Sequence, residues 1–136
     1  MPTRPVRRRG RAPKAAAEPA APVRRTAVMY CRVSSRDQER EGFSIPAQQK
    51  LLREYAEREQ FQVLQEFTDV ETAKRTGRQA FTAMLTFLRR SRTTTPVILV
   101  EKTDRLYRNL KDWVTLDEMK VEVHFVKENI VIAEES

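Results

Sequence analysis

The stretch Ala27-Val28-Met29-Tyr30-Cys31-Arg32-Val33-Ser34 decides the fold. Its first five residues are an unbroken apolar run that reads as a buried strand, and a polar loop follows through Gly42. Outward from there, apolar runs and amphipathic segments alternate. Ser44 can cap a helix that tolerates Pro46 in its first turn; Ile45, Gln48, Leu52, Tyr55 and Ala56 then fall near one face, and the helix ends at about Gln60. Phe61–Phe67 reads as a second strand, with Val63 and Phe67 among its apolar positions, and the polar stretch Asp69–Arg78 reads as a mobile loop. A second helix over Gln79–Arg90 buries Phe81, Met84, Leu85 and Leu88. Pro96–Val100 is almost wholly apolar, as expected of a strand inside a parallel sheet. A third helix, Leu110–Met119, carries Trp113 and Leu116, and Val121–Val126 and Ile130–Ala133 supply the last strands. Strands alternating with helices at this spacing predict an α/β fold: a mostly parallel sheet of four to five strands with flanking helices.

Composition bounds the partners. A chain of 136 residues has room for one ordinary domain. Its formal charge of +7 resides wholly in residues 1–25, which hold eight basic residues and one acid, Glu18. Residues 26–136 balance eighteen bases against eighteen acids, so any grip on nucleic acid by the folded part is local and not a whole-domain field. Residues 1–25 also contain five prolines and six alanines, too little apolar surface to offset ordering entropy, and are expected to form a disordered basic arm. Such an arm is either a bland extension or a source of sequence-independent affinity for phosphate backbones. One cysteine, Cys31, excludes an intrachain disulfide and a multi-cysteine zinc site. No apolar run spans a membrane and no export signal is present, which makes the cytoplasm the default location.

Two motifs carry the chemistry. Ser34 follows the first apolar run, two residues from Arg32; the second motif, Glu101-Lys102-Thr103-Asp104-Arg105-Leu106-Tyr107-Arg108-Asn109, follows the third strand. A hydroxyl among arginines suits attack on a phosphodiester, because guanidinium forks grip phosphate oxygens bidentately and stay charged at any useful pH. Ligands of open α/β sheets bind beyond the carboxyl ends of the strands, so Ser34, Asp69 just past the second strand, and Asp104 with Arg105 just past the third can converge at one edge. Each residue also has a plain structural reading. Ser34 can be a capping serine, Asp104, Arg105 and Arg108 a solvated charge cluster at a helix start, and Asp69, Arg78, Gln38 and Gln48 surface polar groups. Lys102 reads as solvated, Cys31 as a small packed hydrophobe, and His124 and Trp113 as core or core-edge residues. A Cys-based phosphatase loop fails on spacing, since the position six residues after Cys31 is Asp37.

Arg32-Val33-Ser34 and Asp104-Arg105-Leu106 with Arg108 resemble the two hallmarks of the serine recombinases, the resolvase–invertase group and its larger integrase relatives. The likeness covers roughly residues 27–132. It makes Ser34, not Ser35, the nucleophile, matches Gln38 and Gln48 to active-site glutamines, and matches Asp69 and Arg78 to an acid and a phosphate-contacting arginine. The resemblance implies double-stranded DNA as substrate, cleavage without metal, nucleotide or other cofactor, and a phosphoserine linkage to a 5′ end with a free 3′ hydroxyl. It further implies dimers that pair into a tetramer, and a nucleoid-associated place in the cytoplasm. Arg32, Arg78, Arg105 and Arg108 are then the candidates for stabilising the charge that builds on the non-bridging oxygens. Asp104 serves either as acid or base for the hydroxyl proton or as the carboxylate that orients Arg105.

The resemblance also implies a long dimer helix and a DNA-binding region beyond the last strand, and neither is expected before Ser136. The expected organisation is thus an arm over 1–25 and a catalytic domain over 26–136 that stops short of those parts. The Phe43-Ser44-Ile45-Pro46 stretch looks closer to the large-integrase or transposon-borne branch. Two other functions stay open: a non-catalytic module that pairs with a full-length recombinase, and a phosphate-ester hydrolase on a similar sheet.

Overall fold

The computed structural model of the protein describes residues 24–34, 45–72, 77–91 and 94–133. Along the chain these form β1 (Arg25–Ser34), α1 (Ile45–Arg58), β2 (Phe61–Glu71), α2 (Gln79–Arg89), β3 (Val97–Val100), α3 (Thr103–Leu106), α4 (Leu110–Met119), β4 (Val123–Phe125), a 3-10 turn (Val126–Glu128) and β5 (Ile130–Ile132). The strands make one five-stranded sheet in the order β2-β1-β3-β4-β5, parallel throughout except for the antiparallel β4–β5 pair. The expected fold class is the one the chain adopts.

Strand β1 is apolar on both sides because it has a helix layer on each. Side chains alternate along a strand. Ala27, Met29 and Cys31 pack with Leu52 and Ala56 of α1, while Val28 and Tyr30 pack on the opposite face with Phe81, Met84, Leu85 and Leu88 of α2. Leu116 of α4 joins that second cluster with Val123 and Phe125. Burial pushes the Cys31 thiol up to about 12, with Glu66 and Glu101 adding to the effect, so it packs as a protonated small hydrophobe.

A bulge in β2 sets which of its residues face the site. Ala27 pairs with Val63, but Val28 pairs with Gln65, so Leu64 is extra. An added residue reverses the inside–outside alternation beyond it. Phe61 and Val63 therefore pack on the α1 side, whereas Phe67, four residues on and of the same parity, packs on the α2 side. The side chains of Asp69 and Glu71 follow Phe67 onto that face. Glu66 takes the other side and receives a two-pronged ion pair from Arg53 of α1 at 2.9 and 2.8 Å.

Several boundaries differ from expectation. β1 runs on to Ser34, which is its last residue and not a loop residue beyond it. β2 continues past Phe67 to Glu71, so Asp69 belongs to the strand and not to a loop. Both extensions arise because β1 and β2 pair with each other beyond their apolar cores, Arg32 with Asp69 and Ser34 with Glu71. β3 begins at Val97 and α2 ends at Arg89, each one residue inside expectation, and β4 is shorter than Val121–Val126. Arg25 already belongs to β1. The rest of the expected arm up to residue 23, the Ser44 cap and the loop over 35–44 lie outside the described residues.

At the far edge, all three residues of β5 are exposed, and Trp113 is 42% exposed, a surface residue of α4 and not core. His124 is buried as expected. Its Nδ1 meets the Tyr55 hydroxyl at 2.6 Å and its Nε2 meets Glu122, which in turn accepts from Arg25 at 2.6 Å. Burial works against ionisation of Glu122, but the hydrogen bonds from Arg25 and His124 outweigh it and hold the carboxyl below its ordinary range. Among the described residues, no helix is long and apolar enough to cross a membrane.

Candidate active site at the carboxyl edge of the sheet

The order β2-β1-β3 sets the carboxyl ends of three parallel strands side by side, and the sequence motifs meet there. Ser34 is half-buried at the end of β1, opposite Glu71 in the ladder. Alternation puts its side chain on the face shared by Tyr30 and Arg32. β3 stops pairing with β1 at Tyr30–Val100, yet the backbone of Arg32 is not left open. The Gln48 side chain, fully buried on α1, replaces a strand there: its Oε1 accepts from Arg32 N–H at 3.2 Å and its Nε2 donates to the Arg32 carbonyl at 3.1 Å. Replacing Gln48 by Leu leaves both groups without that partner. It is expected to cost about 2 kcal/mol, measured as a shift in urea midpoint with unchanged slope.

The arginines converge, and each is met by a carboxylate. Arg32 donates from Nη1 to Glu71 Oε1 at 2.7 Å, from Nε to the Arg105 carbonyl at 3.1 Å, and from Nη2 to the Asp104 carbonyl. Arg108 Nη1 meets the other oxygen of Glu71 at 2.8 Å. Arg78, from the segment leading into α2, pairs with Asp112, donates to the Leu106 carbonyl at 2.6 Å and lies 4.0 Å over the Phe81 ring. Arg105 is buried, with Nε on Glu101 Oε1 at 3.3 Å. Asp112 also accepts from the Arg108 backbone N–H at 2.7 Å, and Asn109 caps α4 by accepting from Asp112 N–H at 3.0 Å. The start of α4 is thereby tied to the second motif.

Asp69 does a different job from a solvent-facing acid. It is 6% exposed and accepts three hydrogen bonds: from Tyr30 Oη at 2.7 Å and from the backbone N–H groups of Ala80 and Phe81, each at 2.9 Å. Arg78, the residue before α2, gives the helix no side-chain cap, so the carboxylate of β2 caps it from outside. Burial, followed by the hydrogen bond to Asp69, raises the Tyr30 phenol well above its usual range, so it stays protonated and donates. Asp104 is exposed in the first turn of α3, and the carboxylate that pairs with Arg105 is Glu101. Lys102 is half-buried just ahead of α3. Gln38 lies outside the described residues.

Ser34, Arg32, Arg78, Arg105, Arg108, Asp104, Gln48 and Asp69 were expected from sequence at one place; Asp104 lies exposed at its rim, and Tyr30, Glu71, Glu101 and Asp112 join the others there. Glu101 had a signal, its place four residues before Arg105 in the second motif. Glu71 and Asp112 had none without strand register and helix packing.

Residues 27–136 match the family described as Resolvase, N terminal domain. Among solved structures, the chain is similar to the N-terminal catalytic domain of TP901-1 integrase, with 29% identity, TM-score 0.64, and coverage of 79% of this chain and 82% of that one. It is also similar to a resolvase family site-specific recombinase from Streptococcus pneumoniae, with 25% identity, TM-score 0.70, and coverage of 83% and 79%. No curated protein matches it. With the family pattern matched over nearly the whole described chain and the fold shared with two recombinases, the chain belongs to the resolvase family of serine recombinases, enzymes of site-specific DNA recombination.

Proposed function

We propose that this chain is the catalytic domain of a recombinase that cuts and rejoins double-stranded DNA through a phosphoserine on Ser34. The observation that carries the reading is the position of Ser34, at the end of β1 opposite the carboxylate that gathers Arg32 and Arg108. The Ser34 oxygen attacks a backbone phosphorus, its proton passes to solvent or to a nearby base, and the bond to the 3′ oxygen breaks. The 3′ oxygen leaves as a protonated hydroxyl, and the 5′ phosphate stays on Ser34. Rejoining is the same step reversed, with a 3′ hydroxyl as nucleophile, so the phosphoester energy is stored and no nucleotide is needed.

Negative charge grows on the non-bridging oxygens during attack, and preplaced guanidiniums stabilise it. Arg32 and Arg108 supply the direct contacts in this reading, with Arg78 beside them. Buried Arg105 adds its charge to the field and its carbonyl to the seat of Arg32. Asp69 and Gln48 hold the frame, and exposed Asp104 is free to take part in proton transfer. Gln38 and Lys102 are supporting contacts to DNA. The working assembly is a homodimer that pairs into a tetramer on two duplexes.

A second reading, a non-catalytic module that pairs with a full-length recombinase, draws on the exposed apolar residues Leu110, Trp113 and Val114 of α4 and Ile130–Ile132 of β5. Cleavage itself separates the two, and the polarity of the ends tests the phosphoserine. Incubation with target duplex in excess chelator is expected to give 3′ ends that a polymerase extends and 5′ ends blocked by protein. Extendable ends that need a divalent metal, or 5′ ends open to a kinase after phosphatase, would overturn the phosphoserine reading.

A further inference from the structure

We propose that the Glu71 carboxylate holds, in the DNA-free protein, the place of the scissile phosphodiester, so that DNA must displace it to engage Arg32 and Arg108; this rests on the phosphoserine reading above. A carboxylate and a phosphodiester share the relevant chemistry: two oxygens that divide one negative charge. In Glu71 each oxygen takes one guanidinium, Oε1 that of Arg32 at 2.7 Å and Oε2 that of Arg108 at 2.8 Å. Among the described residues, Asp112 pairs with the guanidinium of Arg78, and Glu101 pairs with that of Arg105, with Lys127 approaching its second oxygen at 3.9 Å. Glu71 is also the residue in register with Ser34, so the arginine-bound anion sits beside the nucleophile. Its side chain is 13% exposed, which keeps water from weakening the pairs.

The two arginines differ in exposure. Arg32 is fixed by two backbone carbonyls in addition to Glu71, and its side chain is 12% exposed. The Arg108 side chain is 37% exposed at the rim. Exchange of Glu71 for phosphate thus leaves Arg32 where it is and carries Arg108 over with the incoming anion. Glu71 is a positioning residue in this account: it keeps both forks aimed while DNA is absent and opposes binding of any second anion until it leaves.

The test uses the whole chain, labelled with ¹³C and ¹⁵N, and inorganic phosphate as the probe. Residue-specific signals separate this site from phosphate bound by arginines elsewhere in the chain. On titration the Glu71 Cδ signal and the Arg108 Nε signal are expected to move along one binding curve. Glu71→Gln, which removes the competing charge, is expected to bind phosphate at the same residues at least about tenfold more tightly. The proposal is overturned if the arginine signals shift while Glu71 Cδ stays put, a result available from the parent protein alone, or if Glu71→Gln binds equally or more weakly. If phosphate moves neither Arg32 nor Arg108 in either protein, the phosphate site itself fails, and the proposal with it.

Discussion

Ser34→Ala is expected to lower DNA cleavage by about ten-thousandfold or more, to the background of the assay, while leaving the fold intact. The size follows from the proposed role: the hydroxyl oxygen forms the bond, and an alanine methyl has no lone pair with which to form it. Stability should change by less than about 1 kcal/mol, because Ser34 is half-buried at the very end of β1 and the substitution removes one small polar atom. The paired control is Ser35→Ala, expected to stay within a few-fold of the parent. Cleavage is read on supercoiled plasmid bearing the target site, with unfolding curves on both variants. An interaction module would show no loss in its partner's activity on Ser34→Ala, so the same variant discriminates the second reading.

The largest expected effect on stability belongs to Asp69. Asp69→Ala leaves the Tyr30 hydroxyl and the Ala80 and Phe81 N–H groups without their shared acceptor in a buried place. It also removes a negative charge near Arg78, whose guanidinium donates to the same Tyr30 oxygen. Stranded buried donors cost about 1–3 kcal/mol each before relaxation, and water entering the gap recovers part of that, so the loss is about 3–5 kcal/mol. In a domain of this size that lowers Tm by more than about 10 °C. Asp69→Asn keeps one acceptor oxygen but turns an amide N–H₂ toward other donors, and is expected to lose about half as much. An Asp69→Ala variant as stable as the parent would show that α2 is not capped through this carboxylate.

These two residues also show what a sequence can disclose. Ser34 was legible as a candidate because it lies just past an apolar run, and strand ends are where α/β sheets place ligands; its proposed role as nucleophile came from the family resemblance. The β-α alternation, the helix faces and the central position of Ala27–Cys31 were legible for the same reason: hydrophobic period reports burial. The true ends of β1 and β2 were not, because Arg32-Val33-Ser34 and Thr68–Glu71 are held by pairing with each other and not by their own apolar content. The Leu64 bulge was invisible for a related cause. Phe61, Val63 and Phe67 share one parity and look like one face, yet the extra residue sends Phe67 to the other side of the sheet. Without the bulge, Asp69 and Glu71 cannot be placed toward Ser34.

Charge pairing was the least legible feature. The four arginines read from sequence as an open nest; the hints otherwise were the even balance of acids and bases in residues 26–136 and the carboxylates Glu101 and Asp104 close to Arg105. Glu71, Glu101 and Asp112 come from three different segments, and only the assembled sheet edge brings them to the guanidiniums. The site is accordingly close to neutral before DNA arrives. In the proposed exchange, a phosphodiester replaces one anion with another and does not fill a vacant pocket of positive charge.

A covalent bond between Ser34 and a 5′ phosphate is open to detection as the mass of a trapped peptide. The full chain is incubated with a target duplex whose nick lets the cleaved 3′ end diffuse away, quenched in denaturant, and digested with nuclease and protease. One peptide carrying a phosphonucleotide is expected, with fragmentation placing it on Ser34 and no such peptide from Ser34→Ala. A phosphonucleotide on any other residue, or cleaved duplex with no adduct at all, would contradict it.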